Sequence, residues 1–163
     1  MRLRSTIMEN APMSRLTLPA LALPFLLALP AGAAEVEVHA LNRGGNGAMM
    51  VFEPALVRVQ PGDTVRFVAT DKGHNAESVP GMLPEGTDAF AGRMNETVTV
   101  TFDKPGVYGI RCKPHYGMGM VALVAVGAPE NGAEARAVAH PGRAKQVFGQ
   151  LFGTLDGQLA AVK

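Results

Sequence analysis

The sequence predicts an all-β domain, a β-sandwich followed by two short C-terminal α-helices. Nineteen glycines and twelve prolines among 163 residues suit many short strands and turns better than a helical bundle. Apolar residues make up 47% of the chain, enough for a core, and the absence of tryptophan makes that core mainly aliphatic. Apolar and polar residues alternate within residues 35–127, and the composition becomes helix-forming from residue 128.

Residues 35–127 are expected to form the sandwich. Strong turn signals stand at Pro61-Gly62-Asp63 and Lys104-Pro105-Gly106. The segment 121–126 is apolar at every position, as expected of a strand in the middle of a sandwich. Strands are predicted at residues 36–39, 55–59, 64–69, 97–102, 107–112 and 121–126, with only a bend at 52–54.

Residues 128–163 are expected to be a helical extension packed on the sandwich. Residues 129–139 are rich in alanine and glutamate, and Pro141-Gly142 interrupts the pattern. Residues 143–151 then place apolar side chains at helical spacing, and two later leucines extend the pattern. Two short helices are therefore predicted.

Residues 1–34 are predicted to be a secretory signal peptide. Three arginines precede an apolar run at residues 16–29, and the small residues that follow allow cleavage after Ala33 or Ala34. An uncleaved membrane anchor is the alternative, but the run contains prolines and is short for a bilayer core of about 30 Å. Translation from the second or third methionine is a further alternative. After cleavage we expect no stable association with the membrane.

The mature chain is close to electrically neutral. The full sequence has 15 basic and 14 acidic residues, and removal of residues 1–34 takes away three arginines and one glutamate. The remaining 12 basic and 13 acidic residues give no global field that would favour nucleic acid. Electrostatic attraction to a partner must therefore come from a local patch of charge.

The single cysteine, Cys112, needs an explanation in an exported protein. It has no partner for an internal disulfide, and a free thiol is open to oxidation unless it is buried or bound to metal. It begins the segment Cys112-Lys-Pro-His115-Tyr-Gly-Met-Gly-Met120, which joins two predicted strands. Thiolate, imidazole and thioether ligands select copper, and two histidines, one cysteine and a weak axial methionine form a blue-copper site.

The second histidine must come from elsewhere in the chain. His74 follows a predicted strand, and a loop on a rigid scaffold suits a ligand. His39 lies within the first strand and is interpreted as a surface residue, whereas His140 lies between the helices and is interpreted as capping or solvent-exposed. The predicted metal ligands are therefore His74, Cys112, His115 and Met120.

Other interpretations of the site remain open. On an extended segment Met118 and Met120 share a face, and Met120 is preferred because it directly precedes the strand at 121–126. Zinc binds cysteine and histidine, but usually takes a stronger fourth ligand than a thioether, or a water molecule. A buried structural cysteine with methionines that only fill the core is a third interpretation. Multicopper oxidase chemistry would need more than the four histidines present.

Residues next to the ligands are expected to tune the copper. Pro114 has no N–H and cannot donate to the Cys112 sulfur. The backbone N–H of Asn75 is the better candidate donor, and its side chain is placed to tie the two ligand loops together.

Five motifs carry a resemblance to a known family. They are Val51-Phe-Glu-Pro54, Pro61-Gly-Asp-Thr-Val65, Asp71-Lys-Gly-His-Asn75, Pro84-Glu-Gly86 and residues 112–126. From Glu35 through the C-terminal helices the chain resembles the pseudoazurins, which are periplasmic cupredoxins. The resemblance implies an eight-stranded Greek-key sandwich with copper at one end. Two departures are Lys113, where a small polar residue is expected, and Met49-Met50, where one methionine is expected.

The resemblance also implies a function. The expected protein is a periplasmic carrier, a monomer and not an enzyme, that shuttles single electrons by cycling one copper ion between Cu(II) and Cu(I). Its expected partners are redox proteins, with copper nitrite reductase as acceptor and cytochromes as donors. A copper carrier or storage protein and a metal-free adhesion sandwich are the alternatives.

The charges near the ligands predict how such a partner would dock. Lys72 and Lys113 flank the ligands in sequence, and Arg43 is expected to join them. Met49, Met118 and Pro80 are expected to form an apolar centre near His115. This arrangement suits transient docking near His115 in which charge sets the association rate. The alternative is a set of ordinary solvated lysines whose charge Asp71 and Glu77 cancel.

Overall fold

The computed structural model describes residues 32–161, which contain eight strands and two α-helices. These are β1 (Glu35–Arg43), β2 (Met49–Glu53), β3 (Leu56–Val59), β4 (Asp63–Val68), β5 (Glu77–Ser78), β6 (Val98–Phe102), β7 (Gly106–Arg111), β8 (Val121–Val126), α1 (Gly132–Ala137) and α2 (Ala144–Ala160). A 3₁₀ turn at Tyr116–Met118 lies between β7 and β8. The predicted signal peptide falls almost wholly outside the described residues and stays a prediction.

The strands form two four-stranded sheets that face each other. One sheet has the order β2-β1-β4-β6, and the other has the order β3-β8-β7-β5. Most neighbours are antiparallel, but β1 with β4 and β3 with β8 are parallel pairs. The prediction of a sandwich with about eight strands and two C-terminal helices is confirmed.

The main core fills the space between the two sheets. It takes alternate side chains from each strand, because residues two apart in a strand point to the same face. Val38, Phe52 and Phe67 come from the first sheet, and Ile110 and Val124 come from the second. Cys112 and Met120 belong to the same buried cluster, so the predicted ligand loop is rooted in the core.

Strand β8 is buried on both faces because the C-terminal extension covers it. Alternate residues of β8 face the main core, and the others join a second apolar cluster with Phe148, Phe152 and Leu155 of α2. All six residues of β8 are buried. The helices therefore give the physical reason for the continuous apolar run at 121–126.

Two strands depart from the sequence expectation. β2 was expected to be only a bend, yet it pairs with β1 from His39↔Glu53 to Arg43↔Met49. β5 has two residues, too few for a periodic pattern to indicate a strand.

The helices differ from the prediction in length. α1 is shorter than the predicted 129–139, and α2 continues to Ala160, as the spacing of the later leucines indicated. Within residues 32–161, no helix combines the length and apolar character needed to cross a bilayer.

Candidate metal centre

The two ends of the loop between β7 and β8 lie side by side, where these two inner strands of the second sheet end and begin. β7 and β8 are antiparallel neighbours, with Arg111 opposite Val121, so the residues that follow and precede them meet. The Cys112 N–H donates to the Met120 carbonyl over 3.0 Å. His115 lies between them, where its carbonyl accepts from the Met118 N–H at 3.0 Å. A nine-residue segment thus brings the Cys112 sulfur within 3.6 Å of His115 Nδ1 and ties the Met120 backbone to Cys112.

His74 reaches the same point from the loop after β4. Gly73 has a φ of +93°, a conformation that glycine adopts readily, and it turns the chain just before the histidine. Its N–H donates to Asn95 Oδ1 at 2.6 Å, and the Asn95 N–H donates to the His74 carbonyl at 2.8 Å. These bonds hold an imidazole that is fully buried.

The ligand atoms of His74, Cys112 and His115 form a compact triangle. The two Nδ1 atoms are 3.1 Å apart, and Cys112 Sγ is 3.7 Å from that of His74 and 3.6 Å from that of His115. The centre of this triangle is about 2.0 Å from each corner, close to a metal–nitrogen bond length of about 2.0–2.1 Å. The donors therefore fit a single ion, and their softness fits copper. Among residues 32–161 no other histidine, cysteine or acidic cluster is placed to share an ion.

The two methionines of the loop are in different environments. Met120 is fully buried in the core cluster that contains Cys112, whereas Met118 is 49% exposed. They do not share a face as they would on an extended segment, because the 3₁₀ turn and Gly119 at a φ of +91° rotate the chain between them. Burial favours Met120 as the axial donor.

Burial also decides the protonation of the metal-free site. Desolvation raises the pKa of the Cys112 thiol, against the opposing effect of hydrogen bonds from the backbone N–H groups of Asn75 and His115. Desolvation, and then the neighbouring His115, lower the pKa of His74, against a smaller opposing effect of Asp71. In the absence of metal a protonated thiol and a neutral His74 are favoured, so a bound cation would take the place of the thiol proton.

Asn75 links the two ligand loops, as the sequence analysis predicted. Its side-chain Oδ1 accepts from the Lys113 N–H over 2.8 Å, and its backbone N–H is among the groups that oppose the rise in the pKa of the Cys112 thiol. Its side-chain amide donates to Glu77 Oε2 at 3.2 Å and to the Gly92 carbonyl at 3.1 Å. Glu77 in turn accepts from Arg111, with Oε1 2.7 Å from Nη2. Each of these bonds restrains the position of the thiolate.

Asn42 contacts a predicted ligand, and this contact was not predicted from the sequence. Its Oδ1 lies 2.9 Å from His74 Nε2, the ring nitrogen that faces away from Cys112. A proton on Nε2 leaves Nδ1 free for a metal, so this contact selects the tautomer that can bind. Asn42 lies near the end of β1, 32 residues before His74, and no local pattern could have indicated it.

The other two histidines contribute no donor to the triangle. His39 Nδ1 is 2.8 Å from Thr70 Oγ1 at the surface, as predicted. His140 was expected to cap a helix or face solvent, but α2 has no side-chain cap. Instead its Nδ1 is 2.6 Å from the Tyr116 hydroxyl, and its ring lies on Phe148 with centroids 4.4 Å apart. Desolvation by burial lowers the pKa of His140.

Comparisons with known proteins agree with this geometry. The family model of copper binding proteins, the plastocyanin/azurin family, matches residues 38–127. The chain is 50% identical to a pseudoazurin of Paracoccus pantotrophus over 137 residues, which cover 83% of this chain and 89% of the relative. The chain belongs to the pseudoazurins. The resemblance inferred from the motifs is thereby confirmed.

Solved pseudoazurin structures share the fold of this chain. One from Sinorhizobium meliloti has a TM-score of 0.74 at 45% identity, covering 75% of this chain and 96% of that chain. One from Methylobacterium extorquens AM1 has a TM-score of 0.71 at 48% identity, covering 74% and 98%. Membership of this family makes copper the cofactor and the protein a blue-copper electron-transfer protein.

Proposed function

We propose that His74, Cys112, His115 and Met120 hold one type 1 copper ion and that the protein carries single electrons on it. The observation that carries this proposal is the triangle of two imidazole nitrogens and one thiol sulfur, beside a buried methionine. Copper, when bound, supplies the Cu(II)/Cu(I) couple. The chain itself binds no second substrate in this role and therefore needs no catalytic group.

The residues around the ligands favour rapid electron transfer by limiting movement. Asn42 contacts the His74 ring, Asn75 accepts from the Lys113 N–H next to Cys112, and the Cys112 N–H is bonded to the Met120 carbonyl. Ligands that are held in one arrangement cannot relax far when the charge of the ion changes. The same rigidity and the full burial of His74 and Cys112 favour an electron carrier over a protein that hands on its copper.

Electrons are proposed to leave through His115. His74 and Cys112 are both fully buried, whereas His115 is partly exposed. Its Nδ1 faces the site, so the opposite edge of the ring is the part that meets solvent. Pro114 and Met118 are close to His115 in the chain, and both side chains are exposed. They are proposed to form an apolar surface around the exposed edge of the His115 ring.

Two exposed lysines are proposed to guide a partner to His115. Lys72 and Lys113 are both exposed, one in each ligand loop. The alternative was that Asp71 and Glu77 cancel the lysine charges, and both acids have other partners. Glu77 is 8% exposed and paired with Arg111, and Asp71 accepts from the Asn42 N–H at 2.7 Å. Asp71 keeps its negative charge because its partner is a neutral N–H, so only the Glu77 part of that alternative is weakened; the lysines are proposed to attract an acidic partner surface.

The apolar centre of this surface differs in part from the expectation. Met49 lies opposite Arg43 in the β1–β2 pairing and is 44% exposed, so it is accessible to a partner as a residue of the apolar centre. Pro80 does not belong to this end of the sandwich. Pro80 directly follows Val79, and the Val79 N–H donates to the Gly109 carbonyl. Gly109 precedes Cys112 by three residues in the chain, so Pro80 lies away from the ligand loop.

We further propose a periplasmic location after cleavage of residues 1–34, and a monomeric state. The positive, apolar and small-residue regions of that segment support export. The proposed partners are a copper nitrite reductase as acceptor and cytochromes as donors. Each is expected to present an acidic surface that recognises the two lysines.

Stopped-flow electron transfer from the reduced protein to a copper nitrite reductase tests the docking proposal. The association rate should fall as salt rises, because screening shortens the reach of the lysine charges. Lys72→Glu and Lys113→Glu should slow association and leave the visible spectrum unchanged. Arg58→Glu, an exposed position on β3, is the matched control and should change the rate little. Rates that ignore salt and both lysine reversals would contradict charge-guided docking and leave an apolar contact around His115.

A further inference from the structure

The segment between the two C-terminal helices lies against the proposed ligand loop. We call residues 140–143 the linker. The Tyr116 hydroxyl is 2.6 Å from His140 Nδ1, and the Arg143 N–H donates to the Gly117 carbonyl over 2.9 Å. Both contacts fall on the 3₁₀ turn, which separates His115 from Met120 in the chain.

Gly142 allows the linker to touch the turn through its backbone. A Cβ atom at this position would lie 2.5 Å from the Gly117 carbonyl oxygen, closer than any real contact. Gly142 also has a φ of +50°, which side chains other than glycine's disfavour. Any other residue here would push the linker away from the ligand loop.

The linker is itself anchored in the interior. The His140 ring stacks on Phe148, which is 1% exposed and belongs to the apolar cluster between α2 and β8. Ala144, directly after the linker, is fully buried. The linker therefore moves only if the packing of α2 moves with it.

Apart from the packing of the Tyr116 ring on the cluster between α2 and β8 and the Arg111 guanidinium 5.1 Å from the centre of that ring, the turn has few other restraints. It buries no residue and has no side-chain cap, and Gly117 and Met118 are exposed. Its own hydrogen bonds are local, from the Met118 N–H to the His115 carbonyl and from the Gly119 N–H to the Tyr116 carbonyl. On the side of the sandwich the loop is tied by Asn75 to Lys113. The linker supplies the tie on the opposite side.

We propose that the linker clamps the ligand loop, with His140 and Gly142 as positioning residues for His115 and Met120. The inference rests on the proposed function, since it concerns those two residues as copper ligands. The 3₁₀ turn lies between His115 and Met120 in the chain. If the contacts between the turn and the linker were lost, both ligands could move. The helical extension would then control how firmly the two ligands on either side of the 3₁₀ turn are held.

Hydrogen exchange in the metal-free protein tests the clamp without copper. The amides to follow are those of Met118, Gly119 and Met120, which bond within the loop. Tyr116→Phe removes only the hydroxyl, and His140→Phe removes Nδ1 but keeps a ring on Phe148. Each should speed exchange of these amides about five- to tenfold, the effect of losing one hydrogen bond. The double variant should add little, because both changes remove the same contact.

The copper-loaded protein gives a second measurement. Tyr116→Phe, His140→Phe and Gly142→Ala should release copper to a chelator several times faster and shift the reduction potential. His39→Phe, which changes a surface histidine of β1, is the control and should leave both unchanged. Unchanged exchange in the single variants, or the same increase in His39→Phe, would overturn the clamp. If wild-type protein formed no blue-copper site, the proposed function would fail, yet the exchange experiment would still decide the clamp.

Discussion

Single residues that are not ligands determine how the ligand atoms point. Each buried imidazole has two nitrogens, and only a partner on the far nitrogen makes the near one a reliable donor. For His74 that partner is Asn42, and Asn75 holds the segment that carries Cys112 through the Lys113 N–H. The triangle of donors is therefore a property of at least five side chains.

Asn42→Ala should weaken copper binding. Without the Oδ1 acceptor, His74 loses the contact that favours a proton on Nε2, and outer partners of this kind contribute about 10–100-fold to metal affinity. Copper affinity measured by competition with a chelator should fall by that factor. Asn46→Ala, in the β1–β2 loop, is the control and should bind as the wild type does. An unaltered affinity in Asn42→Ala would show that burial alone orients His74.

Met120→Leu should retain copper and raise the reduction potential. The axial bond is weak, so the three other ligands still hold the ion, but Cu(II) loses a donor that favours it over Cu(I). Voltammetry of the loaded variant measures the shift. Met118→Leu is the matched control, since its side chain is exposed. A shift in Met118→Leu with none in Met120→Leu would reverse the axial assignment.

The ligand candidates could be predicted from the sequence because three of them lie in one nine-residue segment of distinctive chemistry. His74 was predictable from its position after a strand. Asn42 and His140 were not, because their contacts join residues 32 and 24 positions apart. Such contacts depend on which segments the fold brings next to each other. The local pattern of apolar and polar residues does not indicate this.

At the scale of elements, helix α2 stabilises the sheet that carries the ligand loop. Phe148→Ala should lower the free energy of unfolding by about 3–5 kcal/mol, because it leaves a cavity in the cluster between α2 and β8. Denaturant unfolding of the metal-free protein measures this change. Gln146→Ala, on the exposed side of α2, should stay within about 0.5 kcal/mol of wild type. Equal stability of the two variants would mean that α2 does not pack firmly on β8.

The long elements were the predictable ones. β8 and β6 show clear patterns over five or six residues, and α2 shows helical spacing over four turns. β2 was obscured by Pro54 and its neighbours, and β5 exists only because Glu77 and Ser78 meet β7. Tertiary pairing creates such short strands, so their own residues do not indicate them.

At the scale of the whole molecule, the metal-free fold should lose stability in mild acid. Burial lowers the pKa of both His74 and His140 below the ordinary 6.5, so the unfolded chain binds more protons than the folded one just below that pH. Stability should therefore be full above about pH 6.5 and fall as pH drops toward the folded pKa values.

Thermal unfolding between about pH 7.5 and 5 measures this loss. His140→Gln should reduce the slope, because it removes one of the two histidines that burial keeps neutral in the folded chain. Hydrogen bonds from the Gln60 and Ala34 N–H groups lower the pKa of Asp63 below the ordinary 3.8. The stability that Asp63 contributes is therefore lost only at a pH below the range of this experiment. A flat profile from pH 7.5 to 5 would contradict the buried neutral histidines.

The most direct measurement adds Cu(II) to the purified metal-free protein and records the visible spectrum. A Cys112 thiolate bound to Cu(II) should give an intense blue band at one copper per chain, which a reductant bleaches and an oxidant restores. Cys112→Ser should show no such band, because serine supplies no thiolate for the charge-transfer transition. A wild-type protein that stays colourless with Cu(II), or a Cys112→Ser variant that keeps the band, would contradict the assignment of His74, Cys112, His115 and Met120 as a type 1 copper site.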